Sequence, residues 1–323
     1  MPMSSNTEKT ELDAVESLML ALAKPYAPLD EMVHWHFQSG GKRLRARLGL
    51  SMAHALGLEA TQAIGWSAAC ELMHNATLVH DDVQDGDLVR RGQPTVWNKF
   101  GVPQAINVGD LLFMLAFEAL AHVVCDDAMR WSLSRILSRS CASVIRGQSF
   151  DLFVTQDAQL SWAHYFEIVD GKTSAFFQLP VEGVLCMREV SAKETAGLLE
   201  AFKILGRIFQ IVDDIIDLFA DKGRDAIGND IKEGKLSALV VEYCASQPEQ
   251  KDWLLSVLCK SREETSQEDV MQVKAAFEQA GLPGLLLKRI DGAEKEVFDL
   301  LVHTDKEIVS IVEEFLAALR QSF

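Results

Sequence analysis

Apolar side chains recur every three or four residues along most of this chain, which is the spacing of one face of an α-helix. No run alternates with period two between hairpin turns, so no strand is predicted. Periodic helices joined by short loops predict an all-α bundle whose sites are built from inward-facing side chains of several helices. The predicted helices cover about 11–24, 29–38, 43–56, 60–85, 102–124, 126–153, 160–170, 172–187, 191–220, 235–246, 265–280 and 284–320, the last broken near Thr304.

The domain organisation predicted from this pattern is simple. Residues 11–323 form a single all-α domain without an internal change of composition, after a disordered polar N-terminus at 1–10. The longest apolar run, 111–125, is too short to span a bilayer and is interrupted by Glu118 and His122. Acidic residues near the N-terminus oppose a targeting peptide, and scattered cysteines without a C-x-x-C pair indicate free thiols. We therefore expect a cytoplasmic protein with no transmembrane segment.

Composition excludes some classes of protein. Apolar residues make up 48% of the chain and charged residues 24%, which is the balance of a globular protein and not of a disordered one. The net charge of −16 argues against nucleic acid as a partner, because nucleic-acid-binding surfaces have an excess of Lys and Arg. Such a protein can bind an anionic substrate only through metal ions or through local basic clusters.

Two acidic motifs stand out against the apolar helices that carry them. Asp81, Asp82 and Asp85 are spaced so that the first and last lie one helical turn apart, with Asp82 beside them. One such motif could be a solvated helix end. The same pattern of acids recurs after another apolar run, and oxygen ligands without Cys or His suit Mg²⁺. We expect the two motifs to face one another across a cavity and to hold Mg²⁺ and a diphosphate; the second consists of Asp213, Asp214 and Asp217.

Basic residues cluster at two positions. The stretch 40–45 reads Gly-Gly-Lys-Arg-Leu-Arg, in which glycines allow an anion to approach the backbone and basic side chains can clamp it. A solvated basic turn is the alternative. Arg90 and Arg91 follow the first acidic motif on a predicted loop, where they could pair with its acids or bind phosphate, and we favour phosphate.

These motifs together resemble those of the trans-isoprenyl diphosphate synthases, the polyprenyl synthetase family that includes geranylgeranyl and farnesyl diphosphate synthases. Gly147-Gln148, Lys172-Thr173 and Phe209-Gln210 extend the match, and the order agrees from about residue 35 to 240. The resemblance implies the all-α isoprenoid synthase fold, a homodimer and an Mg²⁺ cofactor with three ions per site. It also implies a prenyltransferase that joins isopentenyl diphosphate to an allylic diphosphate, namely dimethylallyl, geranyl or farnesyl diphosphate.

Family roles can be carried to the matching positions. The resemblance implies metal binding by all six motif acids and catalytic roles for Asp81, Asp85, Asp213, Lys172 and Gln210. It places isopentenyl diphosphate on Lys42, Arg45, His74 and Arg91. It places the allylic diphosphate on Arg90, Lys172, Thr173, Gln210 and Lys235.

One part of the family pattern does not match. The lid segment usually has a Gly-Lys pair, whereas Gly223 is followed here by Arg224, so either Lys222 or Arg224 fills the lysine position.

Product length depends on the residues below the first motif. Ala76 and Thr77 lie one turn before Asp81, about 6–8 Å along the helix at 1.5 Å per residue. Both are small, which favours geranylgeranyl diphosphate or a longer product unless Met73 or another residue closes the tunnel below. The alternatives are a farnesyl or geranyl diphosphate synthase, a class I terpene cyclase, or the non-catalytic subunit of a heteromeric synthase.

Overall fold

The structure is a computed structural model that describes residues 6–152, 160–219 and 227–321, and it confirms an all-α protein. Apolar residues at helical spacing are buried along the long helices, as the sequence pattern predicts. Lys222 and Arg224 lie outside the described residues. In the described part, the helices are α1 (Asn6–Ala23), α2 (Leu29–Gln38), α3 (Leu44–Ala55), α4 (Ala60–Gln84), α5 (Val96–Phe100), α6 (Val102–Glu118), α7 (Asp127–Leu152), α8 (Trp162–Val169), α9 (Ala175–Met187), α10 (Ala192–Phe219), α11 (Asn229–Lys232), α12 (Ala238–Ser246), α13 (Lys251–Leu258), α14 (Gln267–Gln279), α15 (Leu282–Leu300) and α16 (Lys306–Arg320).

Several helix boundaries differ from those predicted. Helix α1 begins at Asn6, so residues 6–10 are helical, while 1–5 lie outside the described residues. Helix α13 occupies a stretch for which no helix was predicted. Helices α8 and α9 were predicted as separate segments, but a single π-helical turn at Asp170–Ser174 joins them. Turns of this kind occur frequently at functional sites.

A short β-hairpin follows α4, where the sequence predicted only a loop. Strand β1 (Val89–Arg90) pairs antiparallel with β2 (Gln93–Pro94), in a register that places Arg90 opposite Gln93. Arg91 and Gly92 form the two-residue turn and both have positive φ, 52° and 76°, as this tight hairpin requires. The hairpin was missed because it is too short to show alternation.

The described residues group into two compact units. The first comprises the described parts of 1–141, 176–199 and 303–315, and the second those of 142–175, 200–302 and 316–323. In the first unit, α4 packs against α3 and α6, and Trp66 and Leu72 of α4 are fully buried. In the second, α12 packs against α8 and α15. The prediction of a single domain is not tested by this grouping.

One segment of the described residues, Val102–His122, is long and apolar enough to cross a membrane by length and composition alone. Half of its most apolar window is buried inside the protein. Burial of this kind is typical of a core helix, and α6 accordingly packs against α4.

Candidate active site

The first acidic motif lies at the C-terminal end of α4. Asp81 and Asp85 are both partly exposed, and the backbone N–H of Asp85 donates to the carbonyl of Asp81 at 2.8 Å. Asp82, between them, is buried with only 1% of its surface exposed. The motif therefore offers two accessible carboxylates one turn apart and a third directed into the protein.

Asp82 is held by Arg90 of the hairpin. Both Nε and Nη2 of Arg90 donate to the Oδ1 atom of Asp82, at 2.7 and 2.6 Å. The second oxygen, Oδ2, is buried and has no hydrogen-bond partner among the described residues. Burial raises the pKa of Asp82 to about 6, although Arg90 opposes this shift. Arg90 could pair with an acid of the motif or bind phosphate, and in this structure it pairs with Asp82.

The hairpin is fixed to α2, and this sets the position of its two arginines. Trp35 donates its indole N–H to the carbonyl of Pro94 at 3.0 Å, and Gln93 donates to the carbonyl of Trp35 at 2.8 Å. Arg91, at the turn, donates to the carbonyl of Gly40. Gly41 has a φ of +140°, which side chains rarely adopt, and a Cβ there would also displace the Arg91 guanidinium, so the position favours glycine.

The basic stretch before α3 divides into inward and outward side chains. Arg43 is buried in a left-handed conformation and donates to Glu16 at 2.7 Å and to the carbonyl of Phe37 at 3.2 Å. Lys42 is exposed and Arg45 partly exposed. Arg43 therefore anchors the loop, and its neighbours remain available to an anion.

Arg45 and His74 lie against the same aromatic ring. The Arg45 guanidinium carbon is 5.6 Å from the centre of the Phe176 ring, and the His74 ring is 5.0 Å from it, edge on. Arg45 Nε and His74 Nδ1 are buried, and neither has a hydrogen-bond partner in the part of the chain that the structure describes. Burial lowers the pKa of Arg45 to about 10, and burial together with Arg45, Arg90 and Arg91 lowers the pKa of His74 well below its usual value. A neutral imidazole beside three arginines forms a pocket suited to an anion.

The predicted chain-length residues differ in accessibility. Ala76 and Met73 are buried, with 0% and 1% of their surface exposed, whereas Thr77 is partly exposed. Thr77 donates to the carbonyl of His74 at 2.8 Å, so its hydroxyl is satisfied within the helix. Because Ala76 is fully buried, a larger side chain there must displace its neighbours.

In the second unit, the middle acid of the second motif is again buried. Asp214 is 3% exposed and accepts three hydrogen bonds: from the Tyr165 hydroxyl at 2.8 Å, from the Gln210 amide at 2.8 Å and from the backbone N–H of Ala238 at 2.7 Å. Burial raises its pKa to about 7, although these hydrogen bonds oppose the shift. Asp213 is partly exposed and Asp217 buried.

Gln210 links this acid to the π turn. Thr173 donates its hydroxyl to Gln210 Oε1 at 2.6 Å, while the Gln210 amide nitrogen donates to Asp214. The close approach of α10 to the π turn depends on Gly206, because a Cβ there would lie 2.5 Å from the Ser174 Cα. The predicted partners Thr173 and Gln210 are thus brought together.

Lys172 and Lys235 both contact acids. Lys172 Nζ lies 2.9 Å from Asp151 Oδ2, and a Cβ at Gly147 would lie 2.6 Å from the backbone nitrogen of Lys172. Lys235 Nζ lies 2.5 Å from Glu233. Both lysines are partly exposed, with 26% and 21% of their side chains accessible.

Comparison with known proteins identifies the family of this chain. The sequence profile described as Polyprenyl synthetase matches residues 27–278. The chain belongs to the polyprenyl synthetase family. A short chain isoprenyl diphosphate synthase of Methanothermobacter thermautotrophicus is 31% identical over 86% of each chain. A geranylgeranyl diphosphate synthase of Saccharolobus solfataricus is 33% identical over 76% of this chain and 75% of its own length. A crystal structure of a geranylgeranyl pyrophosphate synthase superposes with a TM-score of 0.87 at 26% identity, over 98% of this chain and 99% of the other.

Family membership confirms the predicted fold and the reaction class. This polyprenyl synthetase is a prenyltransferase with the all-α fold of the isoprenyl synthases. The family match does not identify the role of any single side chain, so the site residues remain predictions.

The donor groups of this polyprenyl synthetase fit a hard divalent ion. Within the described residues, no group of three or more His, Cys, Asp or Glu side chains is arranged to hold a metal ion. In the first motif, the accessible residues Asp81 and Asp85 nevertheless supply oxygen atoms only. An ion that keeps water and takes ligands from a diphosphate matches such an incomplete set, and this is the usual behaviour of Mg²⁺.

Several residues of the site were missed by sequence reasoning. Tyr165, Phe176 and Glu233 contact the predicted residues directly, and Glu71 contacts the backbone of Ala46 next to the predicted Arg45, but all four lie in ordinary helical or loop patterns. The one available signal was Glu71, an acid on a largely apolar stretch of α4.

Proposed function

We propose that this prenyltransferase condenses isopentenyl diphosphate with an allylic diphosphate, and that its product is geranylgeranyl diphosphate or one of similar length. The observation that carries the proposal lies in the first unit. Arg45 and His74 present buried, unpartnered nitrogen atoms, while α4 carries the accessible acids Asp81 and Asp85. A basic site for one diphosphate and an acidic site for a metal-bound one are the two sites that a condensing enzyme needs. The relatives named as geranylgeranyl diphosphate synthases support the product.

The proposed reaction breaks one bond and forms another. The C–O bond of the allylic diphosphate ionises, the C4 double bond of isopentenyl diphosphate attacks the allylic cation, and the departing pyrophosphate takes the proton that is lost. The six motif acids would hold Mg²⁺, which would supply positive charge to neutralise the leaving diphosphate.

The remaining charge is proposed to be stabilised by Arg90, Lys172 and Lys235. Each is paired with an acid of the protein in this structure, Arg90 with Asp82, Lys172 with Asp151 and Lys235 with Glu233. A diphosphate carries more negative charge than a carboxylate, so it can replace these partners. Thr173 and Gln210, joined by a hydrogen bond, are proposed to lie near the cation.

The second substrate is proposed to bind the basic pocket. Lys42, Arg45 and Arg91 are charged, and His74 is held neutral beside them, so it can donate a hydrogen bond without titrating during turnover. These residues would hold isopentenyl diphosphate with no metal between protein and phosphate. Lys42 and Arg91 are exposed, which leaves the pocket open to a ligand from solvent.

We also propose that the enzyme is a cytoplasmic homodimer. Val102, Ile106 and Met114 of α6 are spaced by multiples of four residues, with 42%, 45% and 62% of their surfaces exposed. An exposed apolar row of this kind is typical of a protein contact. Sedimentation of the purified protein should give twice the mass of one chain, and a monomer at micromolar concentration would contradict the proposal.

The reaction is tested by incubating purified protein and Mg²⁺ with isopentenyl diphosphate and each allylic starter, and sizing the products by mass spectrometry. Elongation up to the geranylgeranyl length, lost on addition of EDTA and restored by Mg²⁺, is expected. Turnover of the allylic substrate without isopentenyl diphosphate would instead indicate a terpene cyclase. No turnover of any starter would indicate a non-catalytic subunit.

A further inference from the structure

A buried polar cluster lies behind the basic pocket. Glu71, Asn75 and His36 have 2%, 1% and 5% of their surfaces exposed. Asn75 Nδ2 donates to the Glu71 carbonyl at 2.7 Å and to Glu71 Oε1 at 3.2 Å. His36 Nε2 lies 3.0 Å from Asn75 Oδ1. Because the Asn75 amide nitrogen is already donating, its oxygen accepts, and His36 is the donor to it.

The second oxygen of Glu71 is directed to α3. Glu71 Oε2 accepts the backbone N–H of Ala46 at 3.2 Å. Ala46 is in the first turn of α3, where backbone N–H groups have no partner within the helix. Glu71 therefore caps this helix from a different part of the chain. The residue directly before Ala46 is Arg45, so the cap fixes the backbone from which the Arg45 side chain extends.

The buried negative charge of Glu71 also acts on two arginines of the pocket. Burial lowers the pKa values of Arg45 and Arg91, and the charge of Glu71 raises both. A buried guanidinium without a compensating charge is costly. Glu71 binds the backbone next to Arg45 and leaves the Arg45 Nε atom without a hydrogen-bond partner among the described residues.

We propose that Glu71 is a positioning residue for the diphosphate of isopentenyl diphosphate, supported by Asn75 and His36. It holds the first turn of α3 so that Arg45 faces the pocket, and it offsets the charge of Arg45 and Arg91 when no substrate is bound. This inference rests on the proposed function, because it assumes that the basic pocket takes isopentenyl diphosphate.

The carboxylate is needed because two donors approach it from different sides. Ala46 N–H and Asn75 Nδ2 each use one oxygen of Glu71. A glutamine in its place has one acceptor and one donor group, so one of the two contacts becomes donor against donor. Glu71→Gln also removes the negative charge while keeping the shape of the side chain.

The experiment compares Glu71→Gln with Glu11→Gln in steady-state kinetics. Glu11 is also buried and also contacts α3, through His54 at 2.6 Å, but at the opposite end of that helix. In Glu71→Gln we expect the KM for isopentenyl diphosphate to rise roughly tenfold, since a charged hydrogen bond is lost, with the KM for the allylic diphosphate within about twofold of wild type. Glu11→Gln should leave both KM values unchanged.

An unchanged KM for isopentenyl diphosphate in folded Glu71→Gln would overturn the inference, and so would an equal rise for both substrates. If Glu71→Gln does not fold, the same two KM values are measured for Asn75→Ala. The KM for isopentenyl diphosphate should then rise only about threefold, because the charge of Glu71 remains. Wild-type protein that cannot elongate any starter would refute the proposed function instead, so the two failures are distinguishable.

Discussion

The two acidic motifs have the same spacing of acids but different surroundings. In the first, Asp82 is neutralised by one arginine and keeps an unpartnered oxygen. In the second, Asp214 accepts three hydrogen bonds from groups without charge. Arg90 is itself a candidate ligand of the diphosphate, so the first arrangement is one that substrate can rearrange. The second arrangement ties α8, α10 and α12 together and serves as a fixed support.

Acids at the same place in a repeated motif need not have the same role. In each motif the middle acid is buried and the first acid is partly exposed. If the exposed acids carry the metal chemistry and the buried ones the architecture, substitutions within one motif should have different effects. The predictions below test that separation.

The largest effect is expected at the first acid of each motif. Asp81→Ala and Asp213→Ala should each lower kcat by at least about 10³-fold, since each removes a ligand of the ions that neutralise the leaving group. Mg²⁺-dependent turnover with isopentenyl diphosphate and farnesyl diphosphate measures this. Asp291→Asn, at an exposed acid of α15, is the control and should keep wild-type activity. Retained turnover in either alanine variant would remove that motif from the mechanism.

The next effect concerns stability and separates the two buried acids. Asp214→Ala leaves three donors unpaired, of which Tyr165 and the Ala238 N–H are buried, and should lower the free energy of unfolding by about 4 kcal/mol. Asp82→Ala leaves Arg90, which is 20% exposed and can reach water, so a loss of about 2 kcal/mol or less is expected. Chemical denaturation with EDTA present measures both values. Equal losses of stability in the two variants would contradict the view that substrate can rearrange the contacts of Asp82 while those of Asp214 stay fixed.

A further difference is expected one turn before each motif. Ala76→Phe should shorten the main product by one isoprene unit, because it adds bulk below Asp81 where the chain is proposed to grow. Ile208→Val, at a buried position before Asp213, should leave product length unchanged. Mass spectrometry of the diphosphates decides. An unchanged product in Ala76→Phe would place the floor elsewhere.

The smallest effect is a difference in pH dependence. Burial lowers the pKa of His36, the partner of Asn75 below the first motif, from 6.5 to about 3. A base with a lowered pKa stabilises the folded state above its unfolded pKa, and this stability is lost as the pH falls from 6.5 towards 3. At pH 5 the loss relative to pH 7 is about 2 kcal/mol, from 1.36 kcal/mol per pH unit.

His36→Gln should remove this component, so its stability should fall less between pH 7 and pH 5 than that of wild type. Tyr165, below the second motif, has its pKa raised well above the usual range by burial and by Asp214, so it does not titrate in this window. Tyr165→Phe should therefore keep the wild-type slope. Parallel curves for wild type and His36→Gln would contradict the assignment.

Much of this protein could be predicted from local patterns. Long amphipathic stretches such as α4 and α10 were located correctly because burial of one helix face imposes its period on the sequence. The hairpin at Val89–Pro94 was not predicted, because its two-residue strands are too short to show alternation and are held in place by a contact to Trp35. Arg90 and Thr173 were identified as site residues, but their partners Asp82 and Gln210 could not be assigned from spacing.

The sequence by itself determined most of the helices, the order of the motifs, the family and the class of reaction, because each is encoded by residues close together in the chain. Only the tertiary structure decided which acids are buried and what holds them. Asp214 obtains its partners from Tyr165 and Ala238, and Glu71 obtains one from Ala46. These contacts join distant segments, and a buried polar group accepts whichever donor the packing brings to it, so no local pattern specifies them.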